Sequence, residues 1–287
     1  MFDIVKALHS NSKHSINKGI NIISRLSSTF ILCFILLSLT ACGSSSVDSD
    51  KVSTSEIFPK FSALSDGTGN VTVVAQLRAS AFGDSDFVKL VDGDVLLASS
   101  GVRFDEVFDT DDIFGDADLF SESLAILKKR TLNDGGIQYE FALTGIDLSL
   151  PIYIHLIKNN GTSALDSNVK FPMGFQITSP QNSSSIPRSD DINISWSNTT
   201  AEPVELEVSG TCSDNIEFTK TVTLDNTTGI HVLSSAEVNT IVNNSTSTCV
   251  LNLRIKRRSF GVISTTFVQG GVYEGIEQRV VTVTSVP

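Results

Sequence analysis

The chain has 287 residues, 18% of them charged, and a net charge of −11. An acid excess of this size opposes binding to nucleic acid or to anionic headgroups. The length admits one large domain or two of ordinary size.

Residues 1–41 do not read as part of a folded domain. Lys6, Lys13, Lys18 and Arg25 stand against a single acid, Asp3, and the apolar run FILCFILL follows from Phe30 to Leu37. From Phe30 to Ala41 is 12 residues, the length of a signal-peptide hydrophobic region. It falls short of the roughly 20 residues a helix needs to cross hydrocarbon.

Leu39-Thr40-Ala41-Cys42, with the polar GSSS behind it, resembles the bacterial lipobox. The resemblance implies that the Cys42 thiol receives a diacylglyceryl group, that the chain is cut before Cys42, and that the new N-terminus is acylated. Two or three acyl chains hold a protein in a bilayer far more firmly than one. Gly43, standing where an aspartate favours inner-membrane retention, implies sorting to the outer membrane. The expected partners are therefore a membrane, through the lipid anchor, and another envelope protein. Losing residues 1–41 removes four bases and one acid, so the chain from Cys42 onward nets −14.

With Cys33 in the signal segment and Cys42 lipidated, Cys212 and Cys249 remain. A pair of cysteines in an oxidising compartment reads as one disulfide. The two cysteines with His155 and His231 lack the spacing of a zinc site.

In chain order, Gly43–Ser55 is Ser-rich and free of aromatics, and reads as a flexible tether reaching roughly 20 Å. Residues 42–68 are thus expected to be lipidated cysteine and linker, with IFPKFSAL (57–64) either docked on the first domain or more linker. The remainder is rich in Val, Ile, Thr, Ser and Phe, a strand-forming palette. The expected fold is all-β, with two β-sandwich-like domains after the signal peptide and tether: a β-domain of unknown type over 69–176 and a second β-sandwich over 177–287.

In the first, NVTVVAQLRA alternates with Val71, Val73, Ala75 and Leu77 on one face. DFVKLVDGDVLLAS reads as a hairpin around DGD, and LNDGGIQYEFAL as a turn leading into a strand with Tyr139, Phe141 and Leu143 on one face. In the strand IYIHLIK, His155 is either a general base on a sheet face or a half-exposed strand residue. In the second, Ile192, Ile194 and Trp196 share a face. The run ITSPQNSSSIPRSDDINISWS resembles the opening of bacterial immunoglobulin-like or fibronectin type III-like modules, which implies that Trp196 is a core aromatic. Trp196 precedes both cysteines, a departure from antibody-type domains, so an antibody-like bridge does not follow.

Two charged stretches are candidates for chemistry. FDEVFDTDDIFGDADLF places Asp109, Asp111, Asp112, Asp116 and Asp118 on one stretch. Such carboxylates either converge on Ca²⁺, which takes six to eight oxygens, or form a solvated loop with Phe anchors. The spacing is not that of an EF-hand. Calcium is the one candidate cofactor, and it predicts a melting temperature that rises with Ca²⁺. RIKRRSF carries Arg254, Lys256, Arg257 and Arg258, either meeting a phosphate-bearing or acidic partner or ending a strand with solvated charges. No Gly-x-Ser-x-Gly, Gly-x-Gly-x-x-Gly or Walker pattern occurs. The expected function is non-catalytic: structural, adhesive, or ligand- or protein-binding. A calcium-dependent adhesive module is the alternative. A glycan hydrolase, less expected, needs two carboxylates about 5–10 Å apart.

Overall fold

The computed structural model describes residues 45–80, 86–101, 103, 124–225, 227–243 and 245–287. Among them are eighteen strands and one α-helix. The strands are β1 (Ser46–Asp48), β2 (Phe58–Ser65), β3 (Val71–Arg78), β4 (Phe87–Lys89), β5 (Val95–Ser100) and β6 (Leu124–Ile126). Next come β7 (Lys128–Thr131), β8 (Ile137–Leu143), β9 (Ile152–Ile157), β10 (Ala164–Val169), β11 (Ile177–Ser179) and β12 (Ser184–Pro187). The rest are β13 (Ile192–Trp196), β14 (Val204–Cys212), β15 (Glu217–Leu224), β16 (Ile230–Leu233), helix α1 (Ser235–Ile241), β17 (Cys249–Phe260) and β18 (Val272–Val286). The protein is all-β.

One large sheet organises the molecule. Its main path runs β1-β4-β3-β2-β18-β17-β14-β15, with β8 beside β3, β7 beside β8, and β12 beside β18. Two smaller sheets cover it: β10-β9-β5-β6 and β11-β13-β16. A first core gathers Phe61, Val73 and Leu77 of the large sheet with Leu96, Ile154 and Leu156 of the four-stranded sheet. A second gathers Leu206, Leu253, Ile255 and Val283 with Ile194, Trp196 and Val238. Trp196 is a core aromatic.

The expected boundary at 176/177 does not divide the large sheet. Strand β18 pairs in parallel with β2 over 272–277 and antiparallel with β17 along its length. Its Tyr273 lies in the first core and its Val281 and Val283 in the second. The described residues belong to one compact unit. Parallel pairing between strands two hundred residues apart leaves no local periodicity, so the sequence pattern could not announce it.

The expected tether is also corrected. β1 pairs in parallel with β4, Val52 and Ile57 are buried, and β2 is an interior strand of the large sheet. Val47, Val52 and Ile57 are the apolar anchors in this Ser-rich stretch. The buried Lys158 donates from Nζ to the carbonyls of Ser49 (2.7 Å) and Val52 (2.8 Å). Thr54 Oγ1 donates to the Thr162 carbonyl. Lys158→Met is expected to take the ammonium donor from both carbonyls, leaving Ser49 only the long bond from the Val52 amide (3.4 Å), at about 1–3 kcal/mol. Faster proteolysis within 46–57 and a lower melting temperature would register it.

Other differences are local. β4 and β5 flank the turn at Asp92-Gly93 but join different sheets, so DGD is not a hairpin. The NDGG turn does close a hairpin, β7–β8. Helix α1 opens on the capping box Ser234/Glu237, which SSAE spells out.

Candidate functional site

The inward-facing positions of β18 read Tyr273, Gly275, Glu277, Arg279, Val281, Val283 and Ser285; those of β17 run from Cys249 to Ile255 and then Arg257. The apolar alternation breaks at Arg257, Glu277 and Arg279, between the two cores. The reason is length. Strand β18 has 15 residues, about 50 Å, whereas β9 has 6, about 20 Å. One short covering sheet cannot span the long one. Two are needed, and polar side chains fill the seam between them.

At the seam Arg257 and Glu277 are register partners on neighbouring strands and both are buried. Arg279 donates from Nη2 to Glu277 Oε1 at 2.6 Å. The Arg257 guanidinium lies 4.5 Å above the Phe175 ring and that of Arg279 lies 5.3 Å from the same ring. Arg257 also donates to the carbonyls of Met173 and Ser197, both at 3.0 Å. Burial pushes the Arg257 guanidinium below its ordinary value, against the opposing pull of Glu277. Beside this cluster is an open cavity of about 470 Å³, with Leu148, Lys170, Met173, Gln176 and Asn198 in its wall.

The turn between β2 and β3 forms one rim. Gly67 has φ +80°, and a Cβ there would overlap the Arg279 guanidinium. Asp66 holds this turn: Oδ1 accepts from the Thr68 amide (2.8 Å), and Oδ2 from Asn70 Nδ2 (3.0 Å). Asn70, more than any other group, pulls the Asp66 carboxyl down from 3.8 to about 2. Its folded pKa lies below its unfolded one, so its contribution to stability is complete above about pH 4 and is lost as pH falls towards 2. Asp66→Asn is expected to flatten that part of the acid limb, as read by thermal melting across the range.

The basic run is not a free patch. On the outer face, Lys256 bonds Glu205 (3.1 Å) and Glu207 (2.8 Å), Arg258 bonds Glu205 (3.1 Å) and Glu274 (2.9 Å), and Arg254 bonds Glu207. Three cations thus meet three carboxylates. Burial works against the Glu205 carboxylate, but Lys256 and Arg258 outweigh it and lower its pKa. Arg257, the fourth cation, faces inward. The run is the body of β17, not a strand end.

His155 is fully buried, since β9 is covered on both faces. Its Nε2 lies 3.4 Å from Ser99 Oγ, and its Nδ1 accepts from the Asp166 amide at 3.4 Å. The Asp166 carboxylate is turned to Arg103 instead (3.0 Å). His231 is half-buried in β16, opposite Ile194.

Cys212 and Cys249 form a disulfide between register partners of β14 and β17. Cys42, and Asp109, Asp111, Asp112, Asp116 and Asp118, lie outside the described residues. Among the described residues, no three His, Cys, Asp or Glu are placed to hold a metal ion, and no helix is long and apolar enough to cross a membrane.

No protein-family model matches the chain, and no curated protein matches it. Among solved structures it is similar to one described as "Anomalous substructure of Titin-A168169", at 12% identity over 80% of this chain and 99% of that one, with a TM-score of 0.20. It is similar also to "Crystal structure of Dpr2 Ig1-Ig2 in complex with DIP-Theta Ig1-Ig3", at 8% identity over 80% and 99%, with a TM-score of 0.22. Scores this low carry no argument. The class rests on the strands themselves: a disulfide-bridged all-β protein with two cores under one sheet.

Proposed function

We propose that the protein is an envelope lipoprotein, held in the outer membrane by acyl chains on Cys42, whose β-body binds another envelope component without catalysing a reaction. The observation that carries this reading is the Cys212–Cys249 disulfide. Such a bond persists on the oxidising side of a membrane, the side to which a lipobox at Leu39–Cys42 would deliver the body. Full burial of His155 beside Ser99 supports a packing role for this pair. The seam cavity, with apolar walls and converging polar groups, is the default place for a small ligand.

Metabolic labelling with an alkyne fatty acid tests the anchor. The chain is expected to take up label and fractionate with outer membranes. Cys42→Ser is expected to lose both label and membrane association. Label retained in Cys42→Ser would overturn the assignment.

A further inference from the structure

The first described strand begins almost at the acylation site of the proposed reading. Only Gly43 and Ser44 stand between Cys42 and Ser45, and three residue steps span about 10 Å at most. Ser45 is itself held: its carbonyl accepts from the Phe87 amide at 3.0 Å, and its hydroxyl bonds Asp86. The segment behind it is pinned by β1, by buried Val52 and Ile57, and by Lys158.

Topology tells which end of the body this is. β1 runs parallel to β4, and β4 antiparallel to β3, with Arg78 opposite Phe87 and Phe87 opposite Ser46. Phe58, the first residue of β2, lies opposite Arg78, and Val272, the first of β18, lies beside Lys60. The entry of β1, the starts of β2 and β18, and the connection from β17 to β18 therefore share one end of the large sheet. Gly271 of that connection packs on Pro59.

A second observation falls at the same end. The three most exposed large hydrophobic side chains among the described residues are Val268 (75%), Phe260 (74%) and Val262 (63%). All lie within nine residues, at the end of β17 and in the connection to β18. Phe267 is buried in the first core and fixes the turn, so Val268 is held outward. Scattered exposed valines need no explanation; three neighbours at the end where the chain would meet a lipid anchor do.

We propose that this end rests on the bilayer, with Val262, Val268 and Phe260 at headgroup level and the disulfide-bearing end farthest from it. This rests on acylation of Cys42. A net charge of −14 on the chain from Cys42 repels anionic lipid, so the short leash and the apolar side chains supply the attachment. The body then stands directly on the membrane surface and does not reach out on a long arm.

The test uses the acylated protein in vesicles of phosphatidylethanolamine and phosphatidylglycerol with a quencher on the headgroups. Fluorophores are placed at Val268→Cys or at Ser213→Cys, at opposite ends of β17, about 40 Å apart. Quenching at 268 is expected to exceed that at 213 several-fold. Equal quenching in protein that floats with the vesicles would overturn the apposition and leave the anchor standing. Protein that does not float, or floats equally well as Cys42→Ser, would overturn the anchor and this inference with it. Hydrogen exchange on the protein without added cysteines guards against misfolded variants. Exchange over 261–271 is expected to slow on vesicles relative to soluble Cys42→Ser, while 213–216 is unchanged; no slowing counts against the proposal.

Discussion

Glu277→Ala is expected to cost about 3–5 kcal/mol of folding stability, the range for removing one partner of a buried ion pair. Glu277 is 2% exposed. It accepts from Arg279 at 2.6 Å and sits across the strands from Arg257. Without it, two guanidiniums face one aromatic ring, and the carboxylate next in influence on Arg257 is Glu202. Chemical denaturation at neutral pH would measure the loss. Glu277→Gln keeps the volume and one acceptor, so it is expected to fall between wild type and alanine. Double replacement, Glu277→Met with Arg279→Met, removes both charges and is expected to recover part of the alanine loss, since apolar pairs of similar volume replace buried ion pairs at little cost. A loss below about 1 kcal/mol for Glu277→Ala, the size of an exposed pair, would show that water reaches the seam freely.

The same three residues show what the sequence made legible. Strands β3, β8 and β13 bury largely alternate residues, and the alternation of Val71–Leu77, Tyr139 and Ile192–Trp196 is readable because each strand packs one face on a core. The seam was spelled just as plainly: Arg257 and the Glu277–Arg279 pair break an apolar alternation at neighbouring register positions. From the sequence Arg257 reads as either a partner-binding or a solvated charge, because one strand alone cannot tell a polar position on the inner face from the end of the strand. Arg254, Lys256 and Arg258 are invisible as a neutral set for a related reason, since their carboxylates come from β14 and β18, and only pairing brings them together. Ser-rich composition concealed the N-terminal segment. Its order comes from Lys158, a hundred residues away, and from β4, neither of which leaves a mark in Ser46–Ile57.

Replacing Cys212 and Cys249 together with alanine is expected to cost about 4 kcal/mol, the loop-entropy value for a closure of this length. The two residues are 37 apart. The loop they close holds β15, β16 and α1, which between them supply an edge of the large sheet and the strand paired with β13. The loss is not confined to the unfolded state. Arg188, 5% exposed, donates from Nη2 to Cys249 Sγ at 3.3 Å and to the Ser247 carbonyl at 2.6 Å, and bonds the Ser245 carbonyl too. The bridge therefore also fixes the carbonyls that receive a buried guanidinium. Thermal melting with and without reductant would give the same answer as the double variant, provided the first core is followed separately, for example by proteolysis near β9. Since β17 and β18 serve both cores, a cooperative protein loses both together, and a protein in which 45–169 resists while 177–249 opens would show the seam to be a fault line. The first result is expected, because β18 has no interruption in its pairing with β17 from Glu274 to Ser285, and a break at the seam would have to tear that ladder.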